Sequence, residues 1–317
     1  MHLASTATRV VAPMAPKALA AHRGMATLKQ LVEKIDTTKN IAKITSSMKM
    51  VAASKLRGDQ QRLEDGRPFA RWTDRAFDAP TFADNALHEN FPDPAECGEN
   101  PMFVVVTSDK GLCGAVNSGI TKTTKMSHVD FQEAGKRPKI FIIGEKGRPA
   151  LNALHSEDIV ESINGNWSVP TNFTQISALA TEALRTEADG AVIFFNTYVS
   201  AIAYSQSWRY VPRINAHLEE GASTEEEMPY AEFEVEPENR GEALDSFSEY
   251  AFGCALFDAC IENACSFQSS QMQAMENATN NAFEMIDTLE LQYNRARQAK
   301  ITTELCEIVA GASALEG

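Results

Sequence analysis

The stretch with the most chemical promise runs Ser108-Asp-Lys-Gly-Leu-Cys-Gly-Ala-Val-Asn117. It follows a short apolar run, Met102 to Thr107, and a strand feeding a glycine loop is where α/β folds bind phosphates. The spacing is not that of a Gly-x-Gly-x-x-Gly loop, and it lacks the Gly-Lys-Ser/Thr ending of a P-loop. Gly111 and Gly114 therefore read as the residues of a tight strand-to-helix turn. Cys113 would need a histidine base to act as a nucleophile, and His128, His155 and His217 stand in no recognisable catalytic setting. The six cysteines, at positions 97, 113, 254, 260, 265 and 306, include no Cys-x-x-Cys and have no histidines at zinc spacing. Reduced structural cysteines are the expectation, and no metal site is expected. Cys254 and Cys260 lie on one helical pattern; six steps of about 100° put them on different sides of it, where they cannot bridge. Pairs of acids are numerous but fall on long helical patterns, where a solvated charged face is the expected role. No catalytic residue, metal ligand or cofactor is expected.

The elements that must carry these residues are unusual at the two ends of the chain. Between Gly241 and Gly311 the single glycine is Gly253 and there is no proline, in a sequence with 17 glycines and 13 prolines. That gap predicts one continuous helix. Small or apolar residues recur along it at steps of three and four: Leu244, Phe247, Ala251, Cys254, Asp258, Ile261, Cys265, Gln268, Met272, Met275, Thr279, Ala282, Ile286, Leu289 and Tyr293. This is a heptad rhythm broken by the polar members Asp258, Gln268 and Thr279. A helix of about 70 residues would be roughly 105 Å long, more than a compact domain can contain. A second such pattern runs from Ala26 to about Phe77 on Leu28, Leu31, Ile35, Thr38, Ala42, Thr45, Met48 and Ala52. From Ala26 to Arg57 it has seven cations against two acids, whereas Arg240 to Glu290 has nine acids against Arg240 alone. Two heptad helices of opposite charge, joined by a folded insertion, predict an antiparallel intramolecular coiled coil.

Between the helices the period changes from three-and-four to continuous apolar runs. Met102–Thr107, Lys139–Ile143, a weaker Ile159–Ile163 and Gly190–Asn196 read as buried strands. Helical patterns separate them, notably Asn172 to Ala188, where Thr171 or Asn172 is positioned to cap. Alternating β and α units imply a mostly parallel, doubly wound, Rossmann-like sheet. Ile202 to Val211, with Ile202, Tyr204, Trp208 and Tyr210 alternating, reads as a hairpin partner at its edge. The expected organisation is a 1–24 targeting peptide, an N-terminal coiled-coil helix over 25–78, a linker over 79–101, the α/β domain over 102–237, and a C-terminal coiled-coil helix over 238–317. The acidic stretch 218–227 reads as a solvated loop and Tyr230–Val235 as a further short strand. The first segment carries Arg9, Lys17 and Arg23, hydroxyl residues and alanines, and no acid precedes Glu33, which is the composition of an organellar transit peptide. A net charge of −14 argues against nucleic acid as a partner. No run of 18 apolar residues offers a membrane span.

Three long motifs carry a family resemblance. They are Lys39-Asn-Ile-Ala-Lys-Ile-Thr-Ser-Ser-Met-Lys-Met-Val-Ala-Ala-Ser-Lys-Leu56, the Ser108–Gly114 loop, and the C-terminal pair Met272–Ala282 and Leu291–Leu315. Together they resemble the γ subunit of F-type ATP synthases, mitochondrial type, over Ala26 to Leu315. The resemblance implies a non-catalytic central rotor shaft. Its two terminal helices would form an antiparallel coiled coil inside a hexamer of α and β subunits, and its α/β domain would sit with the δ and ε stalk subunits on the membrane c-ring. It would couple rotation of that ring, driven by proton flow, to conformational changes at the β subunits. The implied place is the matrix side of the mitochondrial inner membrane, peripheral through the c-ring.

By the same resemblance, Arg297, Gln298, Thr302 and Glu304 match positions that contact β-subunit loops. Lys43, Met48, Lys49 and Lys55 lie where the family meets an acidic β-subunit segment, and the same lysines could equally pair with the acidic C-terminal helix. Ile301, Leu305, Ile308, Val309 and Leu315, with Ala312, form the apical bearing. Where many members carry an acid and an arginine, this sequence has Phe267 and Gln271, leaving Gln271 a neutral hydrogen bond to a β-subunit loop at most. Chloroplast members insert a cysteine pair in the central domain, and no cysteine stands between Lys136 and Tyr230. The alternative from another class is a nucleotide-binding α/β enzyme with coiled-coil oligomerisation helices.

Overall fold

In the computed structural model of the chain, residues 27–76, 92–94, 97–186, 188–212 and 240–316 are described. The 1–24 segment, most of the 79–101 linker, the 218–227 acidic stretch and the Tyr230–Val235 strand lie outside them. The element order is α1 (Leu28–Ala76), β1 (Pro101–Val106), α2 (Val116–Glu133), β2 (Lys139–Ile143), α3 (Gly147–His155), β3 (Ile159–Ile163), α4 (Phe173–Leu184), β4 (Gly190–Tyr198), β5 (Tyr204–Pro212) and α5 (Arg240–Glu316). The strands form one sheet in the order β3-β2-β1-β4-β5. β1 pairs in parallel with β2 and β4, β2 in parallel with β3, and β5 runs antiparallel to β4 at the edge. That is the doubly wound sheet with a hairpin edge that the apolar runs predict. Asn172 caps α4, its side chain accepting from the Gln175 amide at 2.8 Å, which satisfies one of the orphan donors of the first turn.

The two-residue alternation of a strand sorts its side chains between two cores. Phe103 and Val105 of β1 point to one face with Ile140, Ile142, Val192 and Phe194, where α2 and α3 cover them through Ile120, Phe131 and Leu151. Met102, Val104 and Val106 point to the other face with Phe141, Ile143, Ile193 and Phe195. There the cover is α4, through Ile176, Leu179 and Ala183, and the terminal helix α5, through Phe252, Ala255, Leu256, Ala259 and Cys260. The α5 residues that meet this core lie beside the heptad positions Ala251, Cys254 and Asp258, while Ile261 and Cys265 of the heptad series turn to α1. A helical period reports which face is apolar, and any apolar surface can meet it.

The helix pair follows further along. Leu56 and Leu63 of α1 cluster with Ile261 and Cys265 of α5. Nearer the start of α1, the Lys49 ammonium meets the Glu276 carboxylate at 2.7 Å and the Thr45 and Thr279 hydroxyls lie 2.7 Å apart. Rising numbers in α1 meet falling numbers in α5, so the two run antiparallel, as expected of oppositely charged helices joined by a folded insertion. α1 continues past Pro68, which has no N–H to offer the Glu64 carbonyl. The chain divides into two compact units, one of residues 39–284 and one combining the start of α1 with residues 285–317. Within the second unit Leu31, Ile35 and Ile286 are buried.

Candidate interaction surfaces

The 108–117 loop is built as a joint. Its left-handed residues are Leu112 (φ 64°) and Gly114 (φ 60°), and a Cβ on Gly111 would stand 3.8 Å from the Lys146 side chain. Asn117 turns back to accept from the Ser108 amide at 3.0 Å and gives its Nδ2 to the Ser108 hydroxyl at 2.8 Å. Asp109 accepts from the Glu145 and Trp167 amides at 3.2 and 3.3 Å, and the Trp167 indole donates to the Thr107 carbonyl at 2.8 Å. The loops after β1, β2 and β3 are thereby tied to one another. Cys113 is buried, and burial pushes its thiol up from the ordinary value, the opposite of what a nucleophile needs. Its carbonyl accepts from the Ser270 hydroxyl of α5 at 2.6 Å, so this loop is fastened to the long helix.

β4 and β5 make the remaining fastenings to α5. Asn196 Nδ2 donates to Asn263 Oδ1 at 2.9 Å, and the Ser266 hydroxyl donates to the Asn196 carbonyl at 3.0 Å. The Tyr198 amide donates to Glu262 Oε2 at 2.7 Å, and Arg209 pairs with Asp258 at 3.3 Å with both side chains nearly buried. Gln60 of α1 donates to the Tyr198 hydroxyl, which brings the first helix into the same joint. Burial pushes the Glu262 carboxyl up from 4.5 to about 7, against the opposing pull of the Tyr198 amide. Buried polar pairs of this kind fix one orientation between elements, because each lost partner leaves a desolvated group behind. The sequence pattern alone offers no signal for this joint; its members read as polar breaks in an apolar seam.

A groove in the 39–284 unit brings together Lys43, Met48 and Lys55 of α1 with Phe267, Gln268 and Gln271 of α5, facing Lys110, Glu145 and Trp167 from the sheet loops. Four of the expected β-subunit contacts, Lys43, Met48, Lys55 and Gln271, therefore share one concave surface. Lys49 does not line it and instead holds Glu276, the intramolecular pairing that charge alone allows for. Between the lysines, Ile41, Ile44, Met50 and Val51 are exposed, so α1 presents a mixed basic and apolar face.

The other expected contacts lie near the end of α5. Every residue from Arg297 to Leu315 is exposed. Ile301, Leu305, Ile308 and Val309 are each more than half exposed, and Leu315 is 90% exposed. Arg297, Gln298, Thr302 and Glu304 stand among them; Thr302 donates to the Gln298 carbonyl at 3.0 Å, and Lys300 and Glu304 pair at 3.6 Å. A helix exposed all round with large aliphatic side chains at five positions has no intramolecular reason for them.

Comparison with known proteins decides the family. A family model described as ATP synthase matches residues 27–315. The chain is 38% identical over 287 residues, 90% of its length, to the mitochondrial ATP synthase subunit gamma of Ipomoea batatas, covering 84% of that relative. The chain belongs to the ATP synthase γ-subunit family. It is also 37% identical to the ATP synthase gamma chain of Paracoccus denitrificans, over 92% of this chain and all of that one. Among solved structures, a chain of the Euglena gracilis mitochondrial ATP synthase rotor shares the fold with a TM-score of 0.70 at 23% identity, over 87% of this chain and 99% of that one. Among the described residues no helix is long and apolar enough to cross a membrane.

Proposed function

We propose that the chain is the central rotor shaft of a mitochondrial ATP synthase and that it contributes no catalytic group of its own. The observation that carries the reading is one helix with two opposite surroundings. Over Phe252–Ser270, α5 is packed into the core of a sheet and held by the Glu262, Asn263 and Ser270 fastenings; over Arg297–Leu315 every side chain is exposed. A torque-bearing part must be gripped at one place and free to slide or exchange contacts at another. The grip is the buried polar joint with the α/β domain, which meets the c-ring together with the δ and ε subunits. The sliding part is the aliphatic end of α5, where Ile301, Leu305, Ile308, Val309 and Leu315 turn in an apolar sleeve of the α and β subunits. Polar neighbours such as Arg297, Gln298, Thr302 and Glu304 exchange hydrogen bonds with β-subunit loops at each step, each bond being weak enough, at about 1 kcal/mol net, to give way.

The basic and apolar face of α1 around Lys43, Met48 and Lys55 meets an acidic β-subunit segment; complementary charge there sets orientation and register more than affinity. The 1–24 segment is the targeting peptide, which accords with a family match that begins at residue 27. The Ipomoea batatas relative, named mitochondrial, supports a place on the matrix side of the inner membrane, peripheral through the c-ring. The rival reading, a nucleotide-binding enzyme, loses support because the polar groups of the 108–117 loop are engaged by Asn117, Asp109 and Ser270.

Crosslinking in the assembled synthase tests the proposal. With the exposed Cys306 replaced by serine, a Gln271→Cys chain disulfide-linked to a β-subunit cysteine should lose both ATP synthesis and hydrolysis, and reductant should restore them. Full activity in the linked complex would overturn the shaft reading. Stoichiometric nucleotide binding by the purified chain, lost on changing Gly114, would favour the rival.

A further inference from the structure

We propose that His128, His155 and Asp158 form a binding site for one divalent transition-metal ion of the zinc class, clipping α2, α3 and β3 together at the N-terminal edge of the sheet. His128 projects from α2, His155 ends α3, and Asp158 stands one residue before β3. Their donor atoms, two imidazole nitrogens and a carboxylate oxygen, all lie within 4.8 Å of one another. The His128 and His155 rings are 4.1 Å apart between centroids, and His128 Nε2 is 3.3 Å from Asp158 Oδ2. Bonds of about 2.0–2.2 Å to a tetrahedral ion put donors roughly 3.4 Å apart, so modest side-chain rotation closes the set.

The His128 side chain is fully buried, with Asp158 Oδ2 3.3 Å from its Nε2 and the Pro138 carbonyl as the backbone acceptor that faces it; neither is a hydrogen bond of good geometry. A buried imidazole normally has a hydrogen-bond partner, and here a second imidazole, His155, lies against the first with the ring planes tilted by 45°. A neutral imidazole offers a metal the lone pair of its unprotonated nitrogen.

The surroundings have the form of an outer sphere. Arg137 donates from Nε to Asp158 Oδ1 at 2.5 Å and pairs with Glu157 at 3.0 Å, which leaves Oδ2 turned inward toward the histidines. Fixing a carboxylate by its second oxygen is how outer-sphere partners orient a metal ligand. Glu157 and Asp158 offset the charges of Arg137 and of Lys125, which faces His155. His155 is 9% exposed and gives the ion its way in, with a fourth position for water. Two imidazoles and one carboxylate suit Zn²⁺ or Co²⁺, and not Mg²⁺ or Ca²⁺, which prefer all-oxygen sites.

The test uses the full chain carrying Cys306→Ser, which removes the exposed thiol as a competing ligand. After chelation and dialysis, Co²⁺ should bind at one equivalent per chain with the intense visible absorption of a tetrahedral centre, Zn²⁺ should displace it, and Tm should rise with Zn²⁺ concentration. His155→Ala, at the edge of the cluster, should keep its fold by circular dichroism and lose affinity by about 100-fold or more, since even outer-sphere losses cost roughly 10–100-fold. Should His128→Gln fail to fold, the wild-type Co²⁺ spectrum and His155→Ala still decide. Absence of the Co²⁺ band and of any Zn²⁺ effect on Tm, or binding unchanged in His155→Ala, would overturn the proposal.

Discussion

Replacing Glu262 by glutamine separates two accounts of the joint between the sheet and the long helix. The carboxyl is 8% exposed, accepts from the Tyr198 amide at 2.7 Å, and lies 3.6 Å from the Arg67 guanidinium. If Arg67 stabilised it as an ion pair, its pKa would fall; instead burial holds it up at about 7, from 4.5. A raised acid pKa means that the native state keeps a proton which the unfolded chain releases. Its stabilising effect is complete below pH 4.5 and is lost as pH rises through 7. The shift of about 2.5 units corresponds to up to about 3 kcal/mol at pH 8. Glutamine keeps an acceptor for Tyr198 and carries no charge. Glu262→Gln should therefore be more stable than wild type by about 1–3 kcal/mol at pH 8 and within about 1 kcal/mol of it at pH 5. Urea unfolding of the full chain, followed by tryptophan fluorescence at both pH values, measures this. Burial lowers the pKa of His128 and His155, which gives stability the opposite pH dependence, so the difference between variant and wild type is the quantity to follow. A variant that is less stable at pH 8 would show that the Arg67 pair outweighs the burial, and the reasoning would be wrong.

Two further outcomes follow from the same joint and its loops. Gly144 has φ +98° and a Cβ there would come within 2.2 Å of the Thr107 carbonyl oxygen, so Gly144→Ala should cost roughly 3 kcal/mol; Gly165→Ala, at φ +80° with nothing within 4 Å, should cost only about 1 kcal/mol in the same denaturation assay. Gln268 Oε1 is buried without a hydrogen-bond partner, so Gln268→Leu should raise stability by about 1 kcal/mol, and under the shaft reading the assembled synthase carrying it with Gln271→Leu should lose coupled turnover.

Much of the architecture was legible because it depends on local chemistry. Absence of glycine and proline between Gly241 and Gly311 is enough to make α5 continuous, and four apolar runs broken by helical patterns are enough for a parallel, doubly wound sheet. Opposite charge on the two terminal helices already implied their pairing, and the folded insertion between them its antiparallel sense, which Lys49–Glu276 and Thr45–Thr279 display. The family was legible too, from motifs long enough to be distinctive. What tertiary structure alone decided is which partner each face meets. Asp258 keeps the heptad step yet pairs with Arg209 of β5, because periodicity selects a side of a helix and says nothing of what covers it. Lys49 and Lys55 are alike in sequence, yet one is held by Glu276 and the other lines an open groove. His155 and Asp158 are three residues apart, but His128 is separated from them by β2 and α3; only the folding of α2 and α3 over one sheet face brings its donor atoms to theirs. Local patterns are set by neighbours a few bonds away, and sites are set by loop closure over tens of residues.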